Sequence, residues 1–187
     1  MIRGDYGGAE WLKIEEILVT KYPFLRRRAV NGSIDAEAKY PLMCLEIPYG
    51  WYPLFYQMCN DIKAVLEKEG AGALEDFYFI QVKEKYNQLR CYHTGSKEVD
   101  EIVDKYSYLS RYVCTQCGKP ATFETSGYFA SFCNDCWKDI VRHEAGEWLD
   151  FSNTFTVSGF CNGQHYKNEI SVKDEWTRYI KGWEAVN

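Results

Sequence analysis

Four cysteines, Cys114, Cys117, Cys133 and Cys136, stand in a C-x2-C-x15-C-x2-C array, and their spacing constrains the fold more than any other feature. Each C-x2-C turn presents two thiolates on one side of a tight knuckle, and two knuckles complete a tetrahedron around one metal ion. Gly118 follows Cys117 directly, which suits a knuckle because the turn needs a residue that accepts unusual backbone angles. Between the pairs, Thr122, Phe123, Thr125, Tyr128 and Phe129 flank Ser126-Gly127. That pattern predicts a β-hairpin over 121–132. Cys133 and Cys136 then open a helix, whose dipole favours thiolate. Knuckle, hairpin and helix-borne knuckle describe a treble-clef or zinc-ribbon-like module built on structural zinc. Its closed four-thiolate shell leaves no open position for a substrate.

Other chemistries fit the array less well. A redox C-x2-C would stand alone near a βαβ pattern. A zinc deaminase needs His-x-Glu upstream of its cysteine pair, whereas His143-Glu144-Ala145 follows both pairs. An iron–sulfur cluster is the alternative that stays open, because four thiolates alone do not select the metal.

The other four cysteines, Cys44, Cys59, Cys91 and Cys161, are scattered singly and read as small buried hydrophobes. A disulfide framework would need an oxidising compartment. No basic stretch leading into an apolar core marks the N-terminus, so the expected setting is a reducing bacterial cytoplasm. Cys91 with His93, and Cys161 with His165, could each supply half of a second metal site. The competing reading makes both histidines ordinary surface or hydrogen-bonded residues. His143 falls off the apolar side of its helix.

Trp11, Ile14 and Leu18, with Ile17 beside them, predict a helix over 9–22 that stops at Pro23. A short apolar run between Pro41 and Pro48 suits a strand. Pro53 followed by Leu54, Met58, Ile62, Val65 and Leu66 predicts the clearest helix, over 52–69, with Gly70 as its stop. Alternation at Tyr78, Ile80 and Val82, a turn at Tyr86-Asn87-Gln88 and a return over 89–93 predict a β-hairpin. Val99, Ile102, Val103, Tyr106 and Leu109 share one face of a helix over 96–110, with Ser96 as its cap. Beyond the array, Trp137, Ile140, Val141 and Trp148 fall on one side of a helix, and residues 151–170 suit strands and loops. Ser171 caps a final helix carrying Trp176, Tyr179, Ile180 and Trp183. This order predicts an α+β fold. It divides into a small helix/β-hairpin domain over 1–110, a docked metal module over 111–149 and a strand/helix extension over 150–187 packed on the rest.

The chain has 187 residues, 46% of them hydrophobic, and a net charge of −5. That composition excludes a disordered chain, and no run approaches the ~20 apolar residues of a membrane helix. Over 111–150 four Lys and Arg face six Asp and Glu, which argues against the module gripping phosphates. Only Arg26-Arg27-Arg28 is locally basic. No Gly-rich phosphate loop, Ser/His/Asp signature or metalloprotease motif appears, so no catalytic residue is assigned. The 15 Tyr, 10 Phe and 6 Trp suit a core or a protein interface, where aromatics supply most of the hot-spot energy.

Three stretches carry a resemblance. They are Gly50-Trp51-Tyr52-Pro53-Leu54 leading to Met58-Cys59, then Gln81-Val82-Lys83-Glu84-Lys85-Tyr86 through Leu89-Arg90-Cys91-Tyr92, then Cys114-Thr115-Gln116-Cys117-Gly118-Lys119-Pro120 with Cys133 to Cys136. Together, over residues 45–137, they resemble a family of small bacterial and phage proteins with a "GWYPL", "QVKEKFGxLRFY" and "CxxCGxP" layout. Asn87-Gln88 replaces the glycine-containing turn usual in that layout, and the chain runs some 50 residues past the last array cysteine. The resemblance implies mobile-element biology. A small acidic zinc protein of this kind is similar to metalloprotein anti-CRISPRs that inhibit type II RNA-guided nucleases by blocking the loading of target DNA. The expected function is therefore a non-enzymatic zinc protein that binds and inhibits a host defence protein, with no membrane partner and no nucleic acid as direct ligand. The alternatives are a zinc-ribbon regulator that binds nucleic acid, and a hydrolase or nuclease using scattered carboxylates and His93.

Overall fold

A computed structural model describes residues 9–140, 146–149, 154–161 and 164–184. The first helix, α1 (Ala9–Lys21), ends ahead of a single 3-10 turn begun by Pro23. Its inward face carries Glu15 and Val19, with Tyr22 buried just past its end, while Ile17 is 66% exposed. The expected stripe is thus rotated by about one position, and the Trp11 side chain lies outside the described residues. Glu15 is tolerated inside because its Oε2 accepts the Leu42 N–H at 3.3 Å, which meets the requirement that a buried polar group be paired.

A two-residue strand, β1 (Leu45–Glu46), precedes α2 (Tyr52–Glu69). Pro53 sits in the first turn of α2, and Gly70 ends the helix at a φ of 116°. Leu54, Phe55, Met58, Cys59, Ile62 and Leu66 are fully buried along it, at about 1.5–3 kcal/mol for each large apolar side chain. That helix is the spine of the core. The short α3 (Ala71–Asp76) leads into β2 (Phe79–Glu84) and β3 (Leu89–His93). The three strands form one sheet in the order β1-β2-β3, parallel at the first pairing and antiparallel at the second. Phe79 pairs with His93 but Gln81 pairs with Tyr92, so Ile80 is the extra residue of a bulge and points outward, 63% exposed. Phe79 and Val82 face the core instead, which breaks the expected Tyr78, Ile80, Val82 alternation.

Helix α4 (Lys97–Leu109) packs on α2 through Val99, Val103, Tyr106 and Leu109. A second sheet, in the order β5-β4-β6, comprises β4 (Phe123–Thr125), β5 (Ser131–Phe132) and β6 (Gly146–Trp148), with α5 (Asn134–Ile140) between the last two. Trp148 lies on a strand opposite Phe123, not on a helix face, and Val141 of the expected helix lies outside the described residues. The hairpin of β7 (Thr154–Cys161) and β8 (Gln164–Ser171) lies against α4. Ser171 caps α6 (Val172–Glu184), its Oγ accepting the Asp174 N–H at 3.3 Å.

The final helix is stapled to the body. Arg178 reaches Asp61 of α2 at 2.7 Å and Glu175 at 3.2 Å, Lys105 of α4 reaches both carboxylates at 3.5 Å, and the Tyr106 hydroxyl donates to Asp61 at 2.9 Å. The fold is α+β. One large core joins α1, α2, α4, β2, β3 and α6, and a small second core gathers around the array cysteines.

Candidate metal centre

The first knuckle is closed by two backbone hydrogen bonds, Cys114 N–H to Lys119 O at 2.8 Å and Gly118 N–H to Cys114 O at 3.0 Å. Gly118 has a φ of 77°, in the left-handed region that glycine occupies without penalty. The second knuckle begins one residue before α5, where the Trp137 N–H donates to Cys133 O at 2.8 Å. Cys114 and Cys133 are buried, and Cys117 and Cys136 half-buried. The four sulfurs all lie within 4.8 Å of one another, and Cys117 and Cys133 Sγ are 3.6 Å apart. A tetrahedral site with metal–sulfur bonds of about 2.3 Å has edges of about 3.8 Å, whereas a disulfide needs sulfurs at about 2.05 Å. The cysteines are free thiols, so the cluster fits one metal ion and no disulfide.

The thiol energetics favour occupation. Burial pushes the Cys117 thiol up to about 12 and raises Cys136 as well. Cys133 is also buried, but the N–H groups of Cys136 and Asp135 at the start of α5, together with the Cys117 thiol, donate to its sulfur and bring it below its ordinary value. A cation at the centre supplies the charge that deprotonating Cys117 and Cys136 requires. Soft thiolate ligands select zinc or iron–sulfur clusters among common metals.

Two of the contacts that weld this centre to the body come from the Gly50-Trp51 dipeptide. The Gly50 N–H donates to Thr115 O at 2.9 Å, and the Trp51 indole donates to Val113 O at 3.1 Å. A Cβ on residue 50 would lie 2.1 Å from Cys114 O, so only glycine lets the knuckle approach this closely. From the other end of the chain, the Tyr179 hydroxyl donates to Gly118 O at 2.6 Å. The knuckle is thus held by the entrance of α2 and the middle of α6.

The tip of the β2–β3 hairpin also plugs into the module. Tyr86 and Asn87 both have positive φ, 54° and 56°, and Lys85 and Gln88 pair in both directions, which defines a two-residue type I′ turn. Asn87 is fully buried. Its Nδ2 donates to Glu124 Oε1 and to Ser131 Oγ, each at 2.6 Å. Glu124 is buried too and takes Arg111 Nη2 at 2.6 Å on its other oxygen. Asparagine both tolerates the left-handed turn and bridges to the module. Asn87→Gly keeps the turn and loses the bridge, for a cost of about 1–3 kcal/mol. Asn87→Ala adds a further ~1–2 kcal/mol of left-handed strain. Denaturant titration of both variants measures the difference, and equal stabilities would contradict the strain argument.

The other expected ligands do not assemble a second centre. His93 packs against Phe77 and Phe79, its Nδ1 accepts the Gly95 N–H at 3.1 Å, and its Nε2 lies 3.3 Å from Asp100. Burial lowers its pKa. Cys91 is half-buried opposite Val82, and its thiol is raised by burial. Among the described residues the array is the only group of three or more metal-ligating side chains brought together. His143 lies outside the described residues, as do the side chains of Cys161 and His165; their backbones place His165 opposite Phe160 and Cys161 opposite Gln164. Asn87, Glu124, Arg111 and Ser131 were not singled out from the sequence, although a buried role for Asn87 had a signal in its turn position.

No family model matches the chain, and neither the curated proteins nor the solved structures give a match. No helix among the described residues is long and apolar enough to cross a membrane.

Proposed function

We propose that this chain is a non-enzymatic zinc protein of phage or mobile-element origin that acts by docking on a host defence protein. The observation that carries the reading is where its aromatic side chains are exposed. Among the described residues the exposed aromatics are Tyr86, Tyr92, Tyr128, Phe129 and Trp148, and every one lies on the β2–β3 hairpin or the metal module. Exposed aromatics gathered on rigid elements are the usual anchors of a protein interface. The closed thiolate shell supports a structural role for zinc, with the metal fixing the shape of this face. The net charge of −5 favours approach to a basic partner. A type II CRISPR nuclease, whose DNA channel is positively charged, is the candidate that the family resemblance supplies.

The test is capture of purified type II effector by the zinc-loaded protein, followed by target-DNA binding. The reading expects a complex and loss of DNA loading, with Phe129→Ala weakening capture by about tenfold, the scale of one interface anchor. Absence of a complex would overturn the partner assignment.

A nucleic-acid regulator is the second reading, and one observation favours it. Arg26, Arg27 and Arg28 line a groove of about 760 Å³, and among the described residues no carboxylate lies within 4.0 Å of any of them. Binding of duplex or single-stranded DNA that falls steeply with salt would support that reading over the first.

A further inference from the structure

Where the hairpin tip meets the metal module, a cavity of about 270 Å³ opens to the surface. Its walls are apolar and aromatic, from Pro48, Tyr128, Phe129 and Phe132. Tyr128 and Phe129 are exposed, and Phe132 is buried beneath them. Its one charged side chain is Glu84, set among the neutral Asn87, Thr115, Gln116 and Thr125. Glu84 has one hydrogen-bond partner, the Asn87 N–H at 2.7 Å, and no Lys, Arg or His of the described residues lies within 4.0 Å of its carboxylate. Asn87 forms part of the wall and is fully buried, yet its Oδ1 has no partner. The orientation of that amide follows from its neighbours. Both Nδ2 contacts are at 2.6 Å, one of them to the Glu124 carboxylate, and turning the amide would set Oδ1 against that carboxylate. Gln116, between the two cysteines of the first knuckle, is also part of the wall.

A carboxylate with no cationic partner, set among apolar and aromatic walls, defines the occupant by exclusion. An anion meets the Glu84 carboxylate with no cationic side chain in the lining to offset it. A neutral apolar group leaves the carboxylate desolvated and unpaired. A bare metal ion finds a single carboxylate. A cation on an apolar stem satisfies the site, its charge on Glu84 and its stem against Pro48 and the rings, within the ~6 Å reach of cation–π attraction. We propose that this cavity receives a lysine or arginine side chain projected by the basic partner. The proposal rests on the docking reading above and names its recognition chemistry.

An amide-resolved NMR titration of the metal-loaded full chain tests it with three capped tripeptides, Gly-Arg-Gly, Gly-Lys-Gly and the uncharged Gly-norleucine-Gly. Saturable shifts at Glu84, Gln116, Tyr128 and Phe129 are expected with the cationic peptides, at about tenfold higher affinity than with norleucine, equivalent to ~1.4 kcal/mol. Whichever cationic peptide binds tighter identifies the side chain. Glu84→Gln keeps the oxygen that accepts the Asn87 N–H and removes the charge, so it should abolish the preference while the spectrum elsewhere stays unchanged. No saturable shift, an equal response to norleucine, or an unaltered preference in Glu84→Gln would overturn the proposal. Failure here is separable from failure of the docking reading. Effector capture lost in Phe129→Ala but undiminished in Glu84→Gln overturns the cavity and leaves the docking face. Cationic peptides bound at Glu84 with no effector captured overturn the partner and leave the cavity.

Discussion

Replacing Cys114 by serine is expected to strip the metal and melt the module from β4 to α5, leaving the helical body folded. The magnitudes decide this. A structural zinc site supplies an apparent ~10–16 kcal/mol at neutral pH, as much as the whole stability of an ordinary domain at ~5–15 kcal/mol. The core around the cysteines consists of Cys114, Ala130, Phe132 and Cys133, with Cys117, Cys136 and Trp137 packed against it. That is too little apolar surface to hold knuckles whose ligand is gone. The main core, from Val19 on α1 to Tyr179 on α6, is separate and far larger. Metal analysis should therefore read near zero for Cys114→Ser and for Cys133→Ser. Hydrogen exchange should accelerate over 113–137 and stay slow along α2. Cys44→Ser, at an exposed cysteine away from the array, should retain full metal content. Unchanged metal content in either array variant would refute the assignment.

Gly50→Ala should also destabilise the protein, at a residue outside the cysteine array. The added Cβ would stand 2.1 Å from Cys114 O, 2.7 Å from Gly118 N and 2.8 Å from the Thr115 carbonyl carbon. All three are backbone atoms of the knuckle, so no flexible side chain can yield. Either the knuckle retreats, breaking the Gly50 and Trp51 hydrogen bonds to Thr115 and Val113, or the entrance of α2 moves. Overpacking of this kind costs about 1–3 kcal/mol, and rigid backbone neighbours place it at the upper end. For a chain of this length that corresponds to a Tm fall of about 5–10 °C. Gly72→Ala is the matched control, since nothing lies within 4 Å of its Cβ on α3, and it should be neutral or stabilising by up to ~1 kcal/mol. Calorimetry of the pair settles the matter, and a Gly50→Ala melting point within a degree of the parent would contradict the docking geometry.

These two positions also show what can be read from a linear chain. The cysteine array was legible because metal geometry translates directly into residue spacing. Helix α2 was legible because Pro53, its apolar period and Gly70 are all local signals, and Ser171 announced α6 in the same way. The bulge at Ile80 was not, since it follows from pairing with a strand ten residues on. Trp148 was misplaced because its apolar partners, Phe123 and Trp137, are met through space and not along a helix. Glu15 reads as a surface carboxylate until Leu42 is brought to it. The same limit hid the second half of the site. Gly50-Trp51 and the Tyr86-Asn87 turn stood out as motifs, but their common role, holding the four-cysteine module, exists only once residues 50, 87, 113–118 and 124–131 converge.

X-ray absorption at the zinc edge, recorded on the purified full-length protein, tests the account most directly. A closed structural centre predicts one zinc per chain with four sulfur neighbours at about 2.3 Å and no nitrogen or oxygen ligand. A spectrum with an oxygen or nitrogen neighbour, or a protein purified without zinc, would contradict it, because the first opens a coordination position to substrate and the second removes the staple that fixes the aromatic face.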